Sequence, residues 1–192
     1  MSDGDKMRVE SIENIDKKKV KVVLEDGTIL PLYKGELKKY DIKEEALLKE
    51  EQVDFLKEDL LYKRAKERAL YILERSDKTK KQLEDKLSGG SYPPDIIKKV
   101  ISFLEAYGYI DDESYARNFV SVYIESKSIM YIQTKLLQKG IDKNLVDDIL
   151  EEYKESSVYN PKKLIREIVN RKRFVYKEGN YKENNKIVSH LL

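Results

Sequence analysis

A pattern of apolar residues recurs in this chain after a shift of 49 positions, and no gap is needed to align the two copies. The recurring apolar positions are Leu70, Leu73, Leu83, Leu87, Ile96, Ile97, Val100, Ile101 and Leu104, which return as Phe119, Val122, Ile132, Leu136, Leu145, Val146, Ile149, Leu150 and Tyr153. Two polar positions recur at the same shift, Thr79 as Ser128 and Lys86 as Lys135. Because self-similarity at a fixed period is the sequence sign of a repeat architecture, we predict a repeat protein whose unit contains three amphipathic helices.

The composition favours thin layers of helices over a single thick core. Of the 192 residues, 40% are hydrophobic and 39% are charged, whereas about 25% charged residues is usual. Helices with one buried stripe and a solvated remainder suit this balance. We therefore predict a mostly α fold, an elongated array of helix-turn-helix-like three-helix repeats with a small N-terminal β-hairpin domain. The predicted modules are residues 1–50, 51–110, 111–156 and 157–192, the last being an incomplete basic repeat.

The N-terminal segment has the spacing that is typical of strands. Apolar residues occupy alternate positions in residues 20–24, and Asp26-Gly27 predicts a tight type I′ hairpin. Residues 8–15 can supply a further strand, although the apolar alternation is broken there. Two or three strands with one apolar face cannot stand alone in water, so they must pack on another part of the chain. The predicted cover is residues 32–48, with two short helical stretches, the second at residues 46–48.

Capping residues mark the ends of the predicted helices. Thr79 and Gln82 form a capping box, and Ser128 is the predicted cap at the same place in the second copy. Gly140 is predicted to end the helix that Ser128 begins. The acidic run at residues 111–113 lacks the glycine turn of a calcium loop, so it is interpreted as the N-terminus of a helix.

A row of basic residues lies on the predicted helix over residues 51–75. Lys57, Arg64, Arg68 and Arg75 are separated by 7, 4 and 7 residues, which places them within roughly 40° of one another on an α-helix. Like charges four residues apart repel each other by a few tenths of a kcal/mol. We expect an anionic group to face this row, and it can be an external partner or acidic residues of the same chain.

The C-terminal part is basic. From residue 158 onward, nine Lys or Arg stand against three Glu, giving a charge of +6, while the rest of the chain carries −4. The basic residues Arg171, Lys172, Arg173 and Lys177 are interleaved with Phe174, Tyr176 and Tyr181. This part is predicted to contact an anionic partner. Two alternatives remain: the charge is a solubilising tail, and the aromatic residues cover two helices predicted at residues 160–169 and 187–192.

Several classes of function are disfavoured by the residues themselves. The chain has no cysteine and a single histidine, His190, and it has no glycine-rich phosphate loop. Catalysis would need a nucleophile with its base, a carboxylate pair in a pocket, or metal ligands at workable spacing. We therefore expect a binding protein with no cofactor and no metal. The longest apolar runs are too short for a membrane span and no signal-peptide core is found, so a soluble, cytoplasmic monomer is expected.

Several segments together resemble the RecX family of bacterial regulatory proteins. They are the residues Ala69 to Arg75, Thr79 to Leu87, Leu104 to Asp112, Tyr115 to Arg117, and Ile132 to Ile141. The likeness is close over residues 60–153 and loose over residues 160–192. Its specificity lies in the order and spacing of the segments and in the Gly-Tyr-Ile-Asp-Asp step between repeats.

The resemblance implies a regulator of the RecA recombinase that lodges in the groove of the filament on DNA and restrains its extension, ATP hydrolysis and strand exchange. Such a role belongs to DNA recombination, DNA repair and the SOS response. The alternative is a helical repeat protein that binds single- or double-stranded nucleic acid directly. The candidate contact residues for RecA or DNA are Lys57, Arg64, Arg68, Arg75, Lys86, Arg117, Lys135, Lys139, Arg171, Lys172, Arg173 and Lys177.

Overall fold

The computed structural model describes residues 6–156, 160–171, 173–175, 178–182 and 184–185. The fold is mostly helical with a small antiparallel sheet at the N-terminus, so the predicted fold class is confirmed. The chain divides into two compact units. The first comprises the residues up to Lys78 together with Leu83–Ile110, and the second comprises Thr79–Gln82 and the residues from Asp111 onward.

The sheet of the first unit has four strands, one more than the hairpin together with the further strand predicted at residues 8–15. They are β1 (Lys6–Asn14), β2 (Lys19–Leu24), β3 (Ile29–Tyr33) and β4 (Leu47–Lys49), in the antiparallel order β3-β2-β1-β4. The alternate residues Val20, Val22 and Leu24 are buried, as their spacing predicts. The prediction of a short helix at residues 46–48 is wrong. Residue Leu48 pairs instead with Met7 of β1, because pairing with a neighbouring strand overrides local helix propensity.

The turn between β2 and β3 differs from the predicted type I′ hairpin. The amide of Gly27 donates to the carbonyl of Leu24 at 2.9 Å, and the amide of Leu24 donates to the carbonyl of Thr28 at 2.9 Å. A type I′ turn needs positive φ at both central residues, but Gly27 has φ +82 and Asp26 is not in that region. The result is a three-residue loop, and the Asp26 carboxylate stabilises it by accepting from the Thr28 amide at 2.8 Å.

The helices of the first unit include an unbroken helical stretch from residue 50 to residue 75. The helices are α1 (Lys34–Lys39), α2 (Glu50–Phe55), a π-helical segment (Leu56–Tyr62), α3 (Lys63–Arg75), α4 (Lys80–Ser88) and α5 (Pro94–Ala106). The residues of α4 up to Gln82 are assigned to the second unit. The core of this unit joins the inner face of the sheet to one stripe of these helices, including Leu56, Leu61, Ala65 and Ala69. The stripe predicted at residues 61, 65, 69 and 72 is buried.

The second unit is entirely helical in its described residues. Its helices are α6 (Asp112–Tyr123), α7 (Ile129–Gln138), α8 (Lys143–Glu155) and α9 (Pro161–Arg171). Apolar residues of α6, α7 and α8 form its core, including Val120, Ile132 and Ile149. Helix α9 lies where a helix is predicted at residues 160–169, and the helix predicted at residues 187–192 lies outside the described residues.

The repeat is less regular than a shift of 49 positions without a gap. The shift holds for the last two helices of each copy, in which Leu83 and Leu87 correspond to Ile132 and Leu136. It fails for the first helix, where Val122 is 68% exposed although it was matched to Leu73. The buried residues there, Ala65 and Ala69 in α3 and Ala116 and Val120 in α6, are separated by 51 positions. The gapless alignment matched apolar residues of α3 and α6 that are not the fully buried ones.

The predicted helix caps are confirmed. The Thr79 hydroxyl accepts from the Gln82 amide at 3.3 Å, and the Gln82 side chain accepts from the Thr79 amide at 3.2 Å. Ser128 accepts from the Tyr131 amide at 3.2 Å, and Asp111 accepts at the start of α6. Since these hydrogen bonds satisfy amides that have no partner within the helix, they define where each helix begins.

Candidate partner-binding surface

An exposed face of α3 carries two arginines on either side of a tyrosine. The guanidinium carbon of Arg68 lies 5.6 Å from the centre of the Tyr71 ring, and that of Arg75 lies 4.4 Å from it. Arg75 also donates to the Tyr71 hydroxyl, and the side chain of Tyr71 is 44% exposed. We call Arg68, Tyr71 and Arg75 the arginine face. The spacing of three and four residues places all three on one side of the helix.

The two arginines of this face have no carboxylate partner among the residues that the structure describes. Ion pairs with a described carboxylate account for Arg64 and Arg117, but none involves Arg68 or Arg75. Their contacts are instead cation–π contacts with Tyr71. Guanidinium groups match carboxylates and phosphates through paired N–H donors, so this face is suited to an anionic partner.

Arg64 belongs to the predicted row but has an internal partner. It donates to the carboxylate of Glu36 in α1, and the two side chains are 22% and 17% exposed. Its guanidinium carbon also lies 4.8 Å from the centre of the Tyr33 ring at the end of β3. Of the two alternatives for the row, acidic residues of the same chain therefore account for Arg64.

Tyr92 lies within the electrostatic influence of the same arginines. Burial raises the pKa of the Tyr92 hydroxyl, and the positive charges of Arg64 and Arg68 act in the opposite direction. Lys19 stands nearby, with its Nζ atom 5.6 Å from the centre of the Tyr33 ring.

Sequence reasoning missed both Tyr33 and Tyr71. For Tyr71, its position three residues after Arg68 was a usable signal, whereas Tyr33 is distant in sequence.

Lys57 does not belong to the arginine face. The predicted alignment assumed α-helical spacing between Lys57 and Arg64, but residues Leu56–Tyr62 form a π-helix. A π-helix forms hydrogen bonds between residues five apart instead of four, so it turns less per residue than an α-helix. The side chain of Lys57 therefore does not lie on the helix side that α-helical spacing from Arg64 predicts. Lys57 accordingly donates to the Thr28 hydroxyl at 3.5 Å, beside the β2–β3 loop.

Arg117 of the second unit is occupied by acidic neighbours. Its Nε donates to Glu113 at 2.9 Å, and its two terminal nitrogens donate to Glu152 at 2.6 and 3.2 Å. These hydrogen bonds, above all those that Glu152 accepts, raise the pKa of Arg117, and the same interaction lowers the pKa of Glu152. The geometry gives Arg117 a role in joining α6 to α8.

Three other lysines on the candidate list are dispersed. Lys86 is exposed near the end of α4. Lys135 lies 5.8 Å from the Tyr131 ring and donates to Gln138 at 3.2 Å. Lys139 lies 5.4 Å from the Tyr115 ring and 5.7 Å from the Phe119 ring.

The basic C-terminal candidates are only partly described. Arg171 is exposed at the end of α9, and Arg173 is exposed with a positive φ of 49°. The amide of Phe174 donates to the Val169 carbonyl at 3.0 Å. Lys172, Lys177 and Tyr176 lie outside the described residues.

Two further features, a metal site and a membrane-spanning helix, are absent from the described residues. Within them, no group of three His, Cys, Asp or Glu side chains is placed to hold a metal ion. In the same part of the chain, none of the helices combines the length and the apolar character that crossing a membrane requires.

Comparison with known proteins gives a consistent result. Residues 65–104 match the family model described as RecX, first three-helix domain. The chain is 31% identical to the regulatory protein RecX of Clostridium beijerinckii over 145 residues, which is 76% of this chain and 68% of the relative. It is 29% identical to the regulatory protein RecX of Clostridium botulinum (strain Eklund 17B) over 186 residues, covering 94% and 85% of the two chains.

Two crystal structures share the fold. A regulatory protein RecX is similar with a TM-score of 0.58 at 21% identity, covering 96% of this chain and 92% of the other. The RecX protein of Lactobacillus salivarius is similar with a TM-score of 0.53 at 26% identity, covering 68% of this chain and 84% of the other.

Proposed function

This chain belongs to the RecX family of regulatory proteins, and we propose that it binds the RecA recombinase filament. In this proposal it limits filament extension, ATP hydrolysis and strand exchange during recombination and DNA repair, without catalytic activity of its own. Relatives of this chain are named regulatory proteins, which supports a regulator over an enzyme.

The observation that carries the proposal is the arginine face. Arg68 and Arg75 are held beside Tyr71, and no described carboxylate neutralises them. Exposed arginine and tyrosine side chains are enriched among the residues that dominate binding energy at protein interfaces. Carboxylates of a protein surface and phosphates of DNA are both complementary to this face.

The proposal is tested by RecA-dependent ATP hydrolysis on single-stranded DNA. We expect the wild-type protein to inhibit hydrolysis and the variant Arg68→Glu/Arg75→Glu to require at least about tenfold more protein for the same inhibition, since each reversal opposes an anionic partner. The matched control is Lys17→Glu/Lys18→Glu, which makes the same change in net charge on an exposed loop of the same unit.

Each result has a distinct consequence. If the wild-type protein leaves hydrolysis unchanged, the proposed function is wrong. If both variants inhibit as well as the wild type does, the function stands and the arginine face is not the contact. Hydrolysis of ATP by the purified protein in the absence of RecA would contradict the proposed lack of catalytic activity.

Direct binding of nucleic acid is the second candidate function. Alternating cationic and aromatic side chains, as at Arg68, Tyr71 and Arg75, suit single strands, where stacking contributes roughly 1 to 3 kcal/mol per base. Salt titration separates the candidates. Binding to labelled oligothymidylate alone should weaken steeply as salt rises, whereas the proposed function requires RecA and should persist at the same salt.

A further inference from the structure

Three aromatic side chains meet at the C-terminal end of α5. The Phe103 ring lies 4.5 Å from the Tyr107 ring and 6.4 Å from the Tyr109 ring, measured between ring centres. Phe103 is half-buried, whereas Tyr107 is 70% exposed and Tyr109 is 54% exposed. Two large aromatic side chains exposed side by side are unusual outside interaction sites.

A lysine of α3 makes cation–π contacts beside this group of rings. The Nζ atom of Lys66 lies 4.7 Å from the centre of the Phe103 ring and 5.5 Å from that of Tyr62. At about 100° per residue, Lys66 and Arg68 are roughly 160° apart around α3. The aromatic group and the arginine face therefore lie on different sides of the same helix.

A surface cavity is lined in part by Tyr62, the second ring that Lys66 contacts. Its volume is about 490 Å³, and it is lined by Glu58, Tyr62, Lys98, Lys99 and Ser102. Lys99 donates to the Glu58 carboxylate, and this hydrogen bond raises the pKa of Lys99. Lys98 is exposed. We call Tyr62, Lys66, Lys98, Phe103, Tyr107 and Tyr109 the aromatic–lysine surface.

The side chains of this surface suit an acidic peptide with apolar residues better than a nucleic acid. The apolar part of the surface can bury an apolar side chain, and the nearby lysines Lys66 and Lys98 can pair with carboxylates on either side of it. A nucleic acid fits less well. Phe103 already contacts Lys66 and both tyrosines, which leaves little free ring on which a base could stack.

We propose that the aromatic–lysine surface is a docking site for a peptide segment of a partner protein in which apolar side chains are flanked by carboxylates. The site is distinct from the arginine face, and its existence does not depend on the proposed function. Tyr107 and Tyr109 supply most of the apolar contact, and Lys66 and Lys98 set the preference for acidic flanks.

The test measures binding of a short fluorescein-labelled peptide with a central Phe-Leu pair and glutamates on both sides, by fluorescence anisotropy. Two comparison peptides replace the glutamates with lysines or the Phe-Leu pair with alanines. The full-length chain is used as the wild type, as Tyr107→Ala/Tyr109→Ala, as Lys66→Glu/Lys98→Glu, and as Tyr131→Ala, a control on an exposed tyrosine of the second unit.

We expect saturable binding of the acidic peptide, at least about tenfold weaker binding of both comparison peptides, and at least about tenfold loss in both double variants. The Tyr131→Ala protein should bind like the wild type. Absence of saturable binding up to about 1 mM overturns the proposal, as does equal binding by all variants. Loss of oligothymidylate binding in the Tyr107→Ala/Tyr109→Ala variant would assign the surface to nucleic acid and also overturn it. Circular dichroism spectra that match the wild type establish that the variants are folded.

Discussion

Arg64 of α3 donates to the carboxylate of Glu36 in α1, and both side chains are largely shielded from solvent. The second carboxylate oxygen of Glu36 accepts from the Tyr33 amide at 2.7 Å. The guanidinium of Arg64 in turn lies over the Tyr33 ring. One carboxylate therefore links the end of β3, the start of α1 and the helix that bears the arginine face.

This relationship predicts that Glu36→Ala destabilises the protein. Loss of the carboxylate leaves Arg64 without its acidic partner and the Tyr33 amide without an acceptor, so we expect a decrease of about 1–3 kcal/mol in the free energy of unfolding. Urea unfolding followed by circular dichroism measures it. Arg68→Ala, on the exposed side of α3, should change stability by less than about 0.5 kcal/mol. Equal effects of the two substitutions would show that the Glu36–Arg64 pair contributes nothing particular.

The hydroxyl of Thr79 predicts a second stability effect. Thr79 is completely buried, and its hydroxyl donates to the Lys139 carbonyl at 2.6 Å, within the second unit, while also accepting from the Gln82 amide. Thr79→Val keeps the shape but removes both hydrogen bonds, so we expect a loss of about 1–3 kcal/mol in thermal or urea unfolding. Thr79→Ser retains the hydroxyl and should lose much less. If serine costs as much as valine, packing of the methyl group and not hydrogen bonding explains the burial.

Two glycines form a matched pair for a test of backbone strain. Gly108 and Gly140 have φ +70 and +82, where a residue with a side chain costs about 1–2 kcal/mol. A Cβ atom at Gly108 would meet nothing within 4 Å, whereas one at Gly140 would lie 2.3 Å from Cβ of Lys81. We expect Gly140→Ala to lower the melting temperature clearly more than Gly108→Ala does. Equal shifts would mean that the chain near Lys81 relaxes without cost.

The cap of α6 predicts a dependence of stability on pH. The Ser114 amide, followed by the Ser114 hydroxyl at 2.7 Å, holds the pKa of Asp111 below its ordinary value of 3.8. Because the folded pKa is the lower one, this contribution is fully present above the unfolded pKa and is lost as pH falls through the folded value.

Asp111→Asn should therefore reduce the difference in melting temperature between about pH 5 and about pH 3, because the window begins near the ordinary pKa of an aspartate and extends below it. Calorimetry at a series of pH values measures the change. An unchanged pH profile in the Asp111→Asn protein would show that the cap is not linked to protonation of this carboxyl group.

Local spacing was sufficient to predict much of the fold. The helices α4, α5, α7 and α8 and their caps follow from periodicity and from residues such as Thr79, Ser128 and Asp111, since a helix start depends on residues within one turn. The β4 strand could not be predicted in this way. Its residues are helix-compatible by themselves, and their pairing with β1 involves residues about forty positions away.

The candidate site was predictable only in part. Arg68 and Arg75 were identified from spacing on one helix face, because both lie in the regular α3. Lys57 was misplaced because the sequence alone did not indicate the π-helix. Arg64 and Arg117 were proposed for partner contact, but each makes hydrogen bonds with acidic side chains of its own unit. Ion pairs of this kind include residues of other helices, which the spacing of residues along a single helix cannot predict.

The sequence by itself determined that this chain forms tandem helical units, because amphipathic periodicity and capping are properties of neighbouring residues. Only the tertiary structure decided which of the described arginines pair with a carboxylate of the same chain. Arg64 and Arg68 are four positions apart on one helix, yet Glu36 pairs with the first and leaves the second exposed. The physical reason is that a charge is neutralised by what the fold places beside it, and β3 and α1 place a carboxylate beside one arginine alone.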